Sequence, residues 1–576
     1  MDRTQLLNAL WTFQDAKGYI SDKDVEDLAH MVNTSKIDIE GIISFYHFFR
    51  RKPAGKFTIY LNNSIVSEIK GFAKVKAAFE KETGVRFDEQ SSNPDFLLRT
   101  TSCIGLSDQE PAALINQYPF TDLTPEKVME IIYRLKAGDD PAEFADSIPD
   151  NVRYSPGEEK AIIFRPYQMG DTVKQLKNLD SDEVIDRIKK AGISGMGGAF
   201  FPTAMKWKLC RDSKNGFPKY IICNADEGEP GTFKDRVLLR KFPGLVLEGM
   251  IVAGFTTGAK EGIVYLRAEY KYLLERLEKT IEELESKNLL GKNIAGIEGF
   301  DFHLRVQLGA GAYICGEETA LIESLEGKRG EPRTKEFFPT DRGFLNKPTV
   351  VNNVETFAFA ARTIELGQDF IHKTGTKESP GTKLLSISGD CKFPGIYEIE
   401  WGTSVHDVLE LCGADDPYYI QVSGPSGTCI TENENHRKID RGDLPCGGSF
   451  MIFNKSRDVF DILHNFAAFF KHESCGTCTP CRAGNHILEQ KIAKFQRSLC
   501  TSQDLQEIQS WGKITKTASR CGLGQMSPNS ILAAADKFRH EFQKRIPANV
   551  SELNKVFDEA VAIFNYDQLI EKTQDN

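Results

Sequence analysis

Gly309-Ala-Gly311-Ala-Tyr-Ile-Cys-Gly316-Glu317-Glu318-Thr319-Ala320 closes a strand-like run and opens a helical one. With so little side-chain bulk, the loop leaves backbone N–H groups free to approach a phosphate or a flat ring. A strand–loop–helix context is what such a site requires. Around it, from about residue 160 to 375, strand-like and helical stretches alternate. Tyr220–Cys223 and Ile263–Leu266 are apolar and strand-like, while Gly244–Ala253 and Tyr272–Lys287 have helical spacing. Such alternation predicts an α/β, Rossmann-like unit, with a largely parallel sheet and helices on its faces.

Another glycine-rich loop, the first in chain order, Gly192-Ile-Ser-Gly195-Met-Gly197-Gly198-Ala-Phe-Phe-Pro-Thr-Ala-Met-Lys206-Trp207, follows the helical stretch Ser181–Ala191. Alone it reads equally well as a turn, although Lys206 adds a cation. Two such loops at the carboxyl ends of parallel strands make a cleft for a nucleotide. Between them lies Cys223-Asn224-Ala-Asp226-Glu227-Gly-Glu229-Pro-Gly-Thr-Phe-Lys-Asp-Arg236. Its carboxylates repel phosphate but accept hydrogen bonds from hydroxyls or a ring N–H. Val351-Asn352-Asn353-Val354-Glu355-Thr356 offers amides for a ring or a polyol chain. No Ser/His/Asp arrangement accompanies these motifs, so the chemistry belongs to a cofactor and the protein supplies position and electrostatics.

At about 150 residues per domain, 576 residues predict roughly four units. Forty per cent apolar and 27% charged residues describe a globular chain, and a net charge of −10 without a basic stripe argues against a nucleic-acid partner. The apolar stretch Leu245–Phe255 is interrupted by Glu248, which excludes a bilayer span. The N-terminus lacks the form of a signal peptide, which predicts a cytoplasmic protein whose 13 cysteines are metal ligands or buried thiols. We expect a unit over 1–140 with strands at Lys56–Tyr60 and Phe96–Thr100 and a helix from Thr124-Pro125 to about Leu135. A linker over 141–160 follows, then the α/β unit over 161–380. A β-rich unit over 381–455 and a helical unit over 456–576 complete the chain.

In the helical unit, Glu473-Ser-Cys475-Gly-Thr-Cys478-Thr-Pro-Cys481-Arg482 spaces three thiols three residues apart, and Ser519-Arg-Cys521-Gly-Leu-Gly524 offers a fourth. All-thiolate ligation suits an iron–sulfur cluster, with structural zinc as the competing occupant. Cys500, outside both motifs, reads as structural.

Together these stretches resemble the flavoprotein subunit of the NADH:quinone oxidoreductase (complex I) family over residues ~160–560. The resemblance implies FMN at Gly195, Gly197, Gly198, Lys206, Asn224, Asp226, Glu227, Tyr313, Gly316, Glu317, Asn352, Asn353 and Thr356. It implies NAD(H) at Phe201, Glu229, Glu318, Lys335 and Phe338, and a [4Fe–4S] cluster on Cys475, Cys478, Cys481 and Cys521. The β-rich unit resembles that family's ubiquitin-like β-grasp domain. Two positions depart from the pattern: Met196 stands where arginine is common and Phe200 where glycine is common.

The first 140 residues resemble the thioredoxin-like [2Fe–2S] subunit of the same family, fused to the flavoprotein. Its four ligand positions fall on Asn62, Ser67, Cys103 and Ser107, so one thiol remains of four and no [2Fe–2S] cluster is expected. Cys103 is then a buried thiol, and His47, in Ser44-Phe-Tyr-His-Phe-Phe-Arg50, packed core. A fusion of this kind resembles the diaphorase α-subunits of NAD-reducing [NiFe] hydrogenases. That implies hydride exchange between nicotinamide and FMN, with Phe201 and Phe338 against the ring, and single electrons leaving through the [4Fe–4S] cluster. The implied partners are a small iron–sulfur diaphorase subunit and the small and large hydrogenase subunits. Alternatives are the equivalent subunit of an NAD-dependent formate dehydrogenase, a bifurcating hydrogenase or complex I, and a flavin-free iron–sulfur scaffold.

Overall fold

A computed structural model describes residues 1–89 and 93–547; the last part of the expected helical unit, 548–576, lies outside the described residues. Three sheets organise the molecule. The first holds β1 (Phe57–Asn62), β2 (Phe96–Thr101), β3 (Ala113–Ile115) and β4 (Tyr118–Phe120) in the order β2-β1-β3-β4, with β1 parallel to β2. Here β1 and β2 run one or two residues beyond the stretches expected from sequence. The helix Pro125–Ala137 covers the sheet. It starts where predicted, because the Thr124 side chain accepts a hydrogen bond from the Lys127 N–H at 3.2 Å, and it stops at Gly138 in the left-handed conformation.

The stretch 141–160, expected as a linker, carries the helical turn Pro141–Phe144 and a three-residue strand, β5 (Val152–Tyr154). Three residues are too few for an alternating pattern to register in the sequence. The central sheet is wholly parallel: β6 (Tyr220–Ala225), β7 (Glu261–Leu266), β8 (His303–Leu308) and β9 (Thr349–Asn353), in the order β8-β7-β6-β9. Its strands are apolar on both faces, as a sheet sandwiched by helices demands. The helices Pro243–Thr257 and Val354–Leu366 cross so closely that a Cβ on Gly249 would fall 2.0 Å from the Phe357 carbonyl oxygen.

The third sheet takes β10 (Thr382–Gly389), β11 (Gly395–Glu400), β12 (Pro417–Val422), β13 (Thr428–Thr431) and β14 (Ser449–Asn454) from one stretch of chain and adds β5 at its edge. Helices Val459–Glu473, Thr479–Gln496 and Ser502–Ala518 follow and pack on one another. Among the described residues no helix is long and apolar enough to cross a membrane.

A single buried carboxylate binds the entry to the α/β unit onto the third sheet. Glu398, fully buried on β11, accepts the backbone N–H groups of Ile162, Ile163 and Phe164 at 2.7, 2.8 and 2.9 Å and the Thr382 hydroxyl at 2.7 Å. Glu398→Ala leaves these donors unmatched, and denaturant titration should show a loss of about 3–5 kcal/mol, with partial recovery in Glu398→Gln. A loss below about 1 kcal/mol would show that Glu398 does not anchor the segment.

Candidate functional site

Both glycine loops and the acidic turn meet at the carboxyl end of the parallel sheet. The turn leaves β6, the loop Gly309–Glu317 leaves β8, and β9 ends at Asn353, which caps the helix Val354–Leu366 by accepting the Glu355 N–H at 3.0 Å. The loop Gly195–Phe201 closes on itself, with Gly195 N–H on the Phe201 carbonyl at 3.0 Å and Phe200 N–H on the Gly195 carbonyl at 3.1 Å. It lies against β9: a Cβ at Gly197 would come 3.3 Å from Asn353 Cβ. Gly198 adopts φ +108°, which glycine tolerates.

The two departures from the family pattern have local explanations. Phe200 holds φ +51°, the left-handed conformation that a glycine takes without strain. Its ring packs edge-on against Trp401 at 6.1 Å, which offsets the backbone cost. Met196 is buried in the main core instead of reaching into the cleft, while its N–H donates to Thr356 Oγ1 at 2.9 Å.

Several candidate side chains hold one another. Lys206 Nζ donates to Glu318 Oε2 and to the Val351 carbonyl, both at 3.0 Å. Asn224 donates to the Gly316 carbonyl at 2.8 Å, fastening the acidic turn to the second loop. Asn352 accepts the Trp207 indole N–H at 2.9 Å, and Glu317 caps the helix Glu318–Leu325 by accepting the Thr319 and Ala320 N–H groups at 2.9 Å. Glu227 has both oxygens occupied, by the Asp235 N–H at 2.8 Å, the Arg236 N–H at 3.1 Å and the Tyr270 hydroxyl at 2.8 Å. Its side chain therefore braces the turn.

Asp226 is different. Its Oδ2 is buried with no partner in the protein, and a Cβ at Gly316 would lie only 3.7 Å from it. Burial raises the Asp226 carboxyl well above its usual range against the pull of Arg267. The Thr203 hydroxyl, at the start of the helix Thr203–Arg211, is likewise buried and unpartnered. Orphaned polar groups beside two low-bulk loops fit the hydroxyls and ring edge of FMN. Glu229 receives the Tyr313 hydroxyl at 2.5 Å and the Ser426 N–H at 2.8 Å. Phe201 and Phe338 are 39% and 72% exposed, and Lys335 is exposed on the same loop as Phe338.

The four cysteines converge beside this cleft. Cys481 and Cys521 are buried, Cys475 and Cys478 partly so, and all four border the core that contains Ile314, Cys315 and Ala320 of the second loop. Burial pushes Cys481 up to about 12; the Ser474 hydroxyl, 3.3 Å away, pulls it down, and the other three thiols raise it again. Gly524 is obligatory, since a Cβ there would sit 2.9 Å from Cys481 Cβ. Among the described residues no three His, Cys, Asp or Glu side chains stand at the spacing of a single ion. Glu473 ties this region to the loop, accepting the Tyr313 N–H at 2.9 Å and the Ser102 hydroxyl at 2.6 Å.

Three family models match the chain: the thioredoxin-like [2Fe-2S] ferredoxin over 1–136, the Nuo51 FMN-binding domain over 188–362, and the NADH-ubiquinone oxidoreductase-F iron-sulfur binding region over 461–545. The alpha subunit of the NAD-reducing hydrogenase HoxS of Cupriavidus necator is 45% identical over 100% of this chain and 97% of its own length. The chain belongs to the family of that subunit. The NADP-reducing hydrogenase subunit HndC of Solidesulfovibrio fructosivorans is 40% identical over 64% of this chain and 78% of its own length. The crystal structure of an NAD+-reducing [NiFe]-hydrogenase in the H2-reduced state superposes with a TM-score of 0.90, at 34% identity, over 99% of this chain and 97% of that one.

The family model that matches the first domain is that of a [2Fe-2S] ferredoxin, which weighs against the expectation of no such cluster. Asn62 and Ser67 are fully buried, Cys103 Sγ lies 3.5 Å from Ser107 Oγ, and Glu110 fills the space beside them. Its carboxyl bonds Asn62 and accepts the Ala112 N–H at 2.8 Å, and burial pushes it up to about 8. His47 is half-buried between Phe48, Tyr60 and His472 rather than packed in a core, and Cys500 is fully buried in the helical core.

Three groups of consequence escaped the sequence reading: the charged cluster Lys234, Asp235, Glu355 and Lys383; the pair Arg236 and Arg267; and Glu398. The triple Lys234-Asp235-Arg236, opening a helix that leads into an apolar one, was the available signal, because charges placed there must be paired.

Burial also makes Glu229 a pH sensor. Burial raises it from 4.5 to about 7, opposed by the Tyr313 and Ser426 hydrogen bonds. The folded chain therefore keeps a proton that the unfolded chain loses, and the resulting stability is present below about pH 4.5 and lost as pH rises to about 7. The denaturant stability of the flavin-free chain should fall over this window, and Glu229→Gln should remove about 3 kcal/mol of that fall. An unchanged slope in the variant would contradict the assignment.

Proposed function

We infer that this chain is the diaphorase subunit of an NAD-reducing hydrogenase, an NAD(H)-dependent oxidoreductase that moves hydride between NAD(H) and FMN and single electrons through a [4Fe–4S] cluster to partner subunits. The observation that carries this is one shared core: residues of the second glycine loop belong to the same buried cluster as Cys481 and Cys521. When bound, FMN supplies the conversion between a hydride and single electrons, which no side chain here provides.

The protein's part is positioning. The loop glycines admit the cofactor to backbone N–H groups, and Asp226, with an unpartnered Oδ2, is offered to its hydroxyls or ring edge. Lys206 keeps Glu318 in place beside the cleft, and Phe201 and Phe338 offer aromatic faces to the nicotinamide, with Glu229 and Lys335 flanking them. The parallel-sheet unit is Rossmann-like and β10–β14 form the β-grasp. The chain divides at about 140, 160, 380 and 455.

In the N-terminal domain one thiol and a buried Glu110 replace a cluster's ligands, which supports a [2Fe–2S]-free domain. The partners are a small iron–sulfur diaphorase subunit and the small and large hydrogenase subunits, and the site of action is the cytoplasm.

The purified, FMN-loaded chain should reduce ferricyanide with NADH on its own. Cys521→Ser should keep its flavin spectrum and lose the [4Fe–4S] signal, because one missing thiolate opens the cluster. FMN-loaded chain with no NADH-dependent reduction of the acceptor would refute the function.

A further inference from the structure

The loop Cys103–Ala112, which in a cluster-bearing domain would carry two ligands, is one of the faces that the N-terminal domain turns to the α/β unit; His47 and Phe48, bonded to the Gly311 and Ala310 carbonyls, form another. The loop crosses to the α/β unit at three points. Asp108 pairs with Arg236 Nη2 at 3.1 and 3.2 Å, each side chain only 1% exposed. The Cys103 carbonyl accepts Arg267 Nη2 at 2.8 Å. Gly105, at φ +73°, lies so close to Tyr270 that a Cβ would fall 2.0 Å from its hydroxyl.

All three residues it touches act on Glu227. Arg236 donates its N–H and Tyr270 its hydroxyl to the carboxylate, and Arg267 donates to the Glu227 carbonyl. Glu227 in turn precedes Gly228 and Glu229 and follows Asp226, whose Oδ2 is buried without a partner and lies 3.7 Å from where a Cβ on Gly316 would sit. Arg236 leaves Nε and Nη1 without partners, so Asp108 is the carboxylate that neutralises it.

We propose that Asp108 is a positioning residue for the flavin: from the N-terminal domain it anchors and neutralises Arg236, and so fixes the charge and shape of the turn Asp226–Glu229. The domain thereby serves the cleft electrostatically without carrying a cluster. The proposal rests on the FMN assignment above. Removing the Asp108 charge leaves a buried cation beside the turn. Reduction adds negative charge to the flavin, so an unpaired cation stabilises the reduced form and raises its potential.

The test is a spectroelectrochemical titration of the full FMN-loaded chain and its Asp108→Asn variant at about pH 8.5, where Glu227 is ionised. The two-electron midpoint should rise by at least about 30 mV, a tenfold change in the equilibrium constant. Asp108→Glu, which restores the charge, should return it toward the wild-type value. Should Asp108→Asn fail to fold, Arg236→Gln carries the test in reverse: it removes the cation and leaves the Asp108 charge unpaired, so its midpoint should fall. A wild-type midpoint in whichever variant folds overturns the proposal alone. A wild-type chain that binds no FMN overturns the flavin assignment and this proposal with it.

Discussion

Everything at the cleft depends on Glu355. It is fully buried at the start of the helix Val354–Leu366, with Lys234 Nζ at 3.1 Å, Lys383 Nζ in closer contact still, and the Leu384 N–H on its other oxygen at 3.0 Å. Burial alone would protonate it; the two ammonium groups reverse that and keep it ionised. Lys234 also pairs with Asp235 at 2.7 Å, which makes the group of four charges neutral. Such a cluster is stable only when complete, because loss of one member strands a charge in a low-dielectric interior. Its members come from the helix after the acidic turn, the helix after β9, and β10 of the third sheet, and Lys383 also donates to the Met196 carbonyl of the first glycine loop at 3.2 Å. The loop, the turn and the third sheet are thus held in one geometry.

A second coupling joins the cleft to the cysteines. The second glycine loop shares its core with Cys481 and Cys521, and Glu473, held below its usual range at about 2 despite burial by hydrogen bonds from His472, Ser102 and the Tyr313 N–H, spans all three neighbouring units. Electron transfer between a flavin and a cluster needs short, rigid separation, and contiguous packing supplies it. The N-terminal domain completes the assembly through the loop around Asp108. In that domain Asn62 and Ser67 are packed without exposure, and Glu110 bonds the Asn62 amide and the Ala112 N–H.

The parts legible in sequence were those governed by local rules. Strand–loop–helix alternation placed β6 and β7, the capping Thr124 placed its helix, and the cysteine spacing marked thiols that do gather beside the cleft. The elements missed were short or non-local. β5 is three residues long and exists only through pairing with β11. The partners of Glu355 lie 121 and 28 positions away along the chain, and nothing in the local pattern around Val354 announces them. The partners of Glu227, which the family motif implies at the flavin, are likewise non-local: its oxygens bond groups 8, 9 and 43 residues further along. Phe200 appeared as a substitution that adds bulk, and only its contact with Trp401 shows where the bulk goes.

The central claim is that one flavin and one cluster, and no second cluster, make up this chain's redox machinery. The most direct measurement is a joint count of FMN and iron in the purified chain, with EPR of the reduced protein. About one FMN and four irons per chain, with a single [4Fe–4S] signal, is the expected result. About six irons with an added [2Fe–2S] signal, or a chain without flavin, would contradict it.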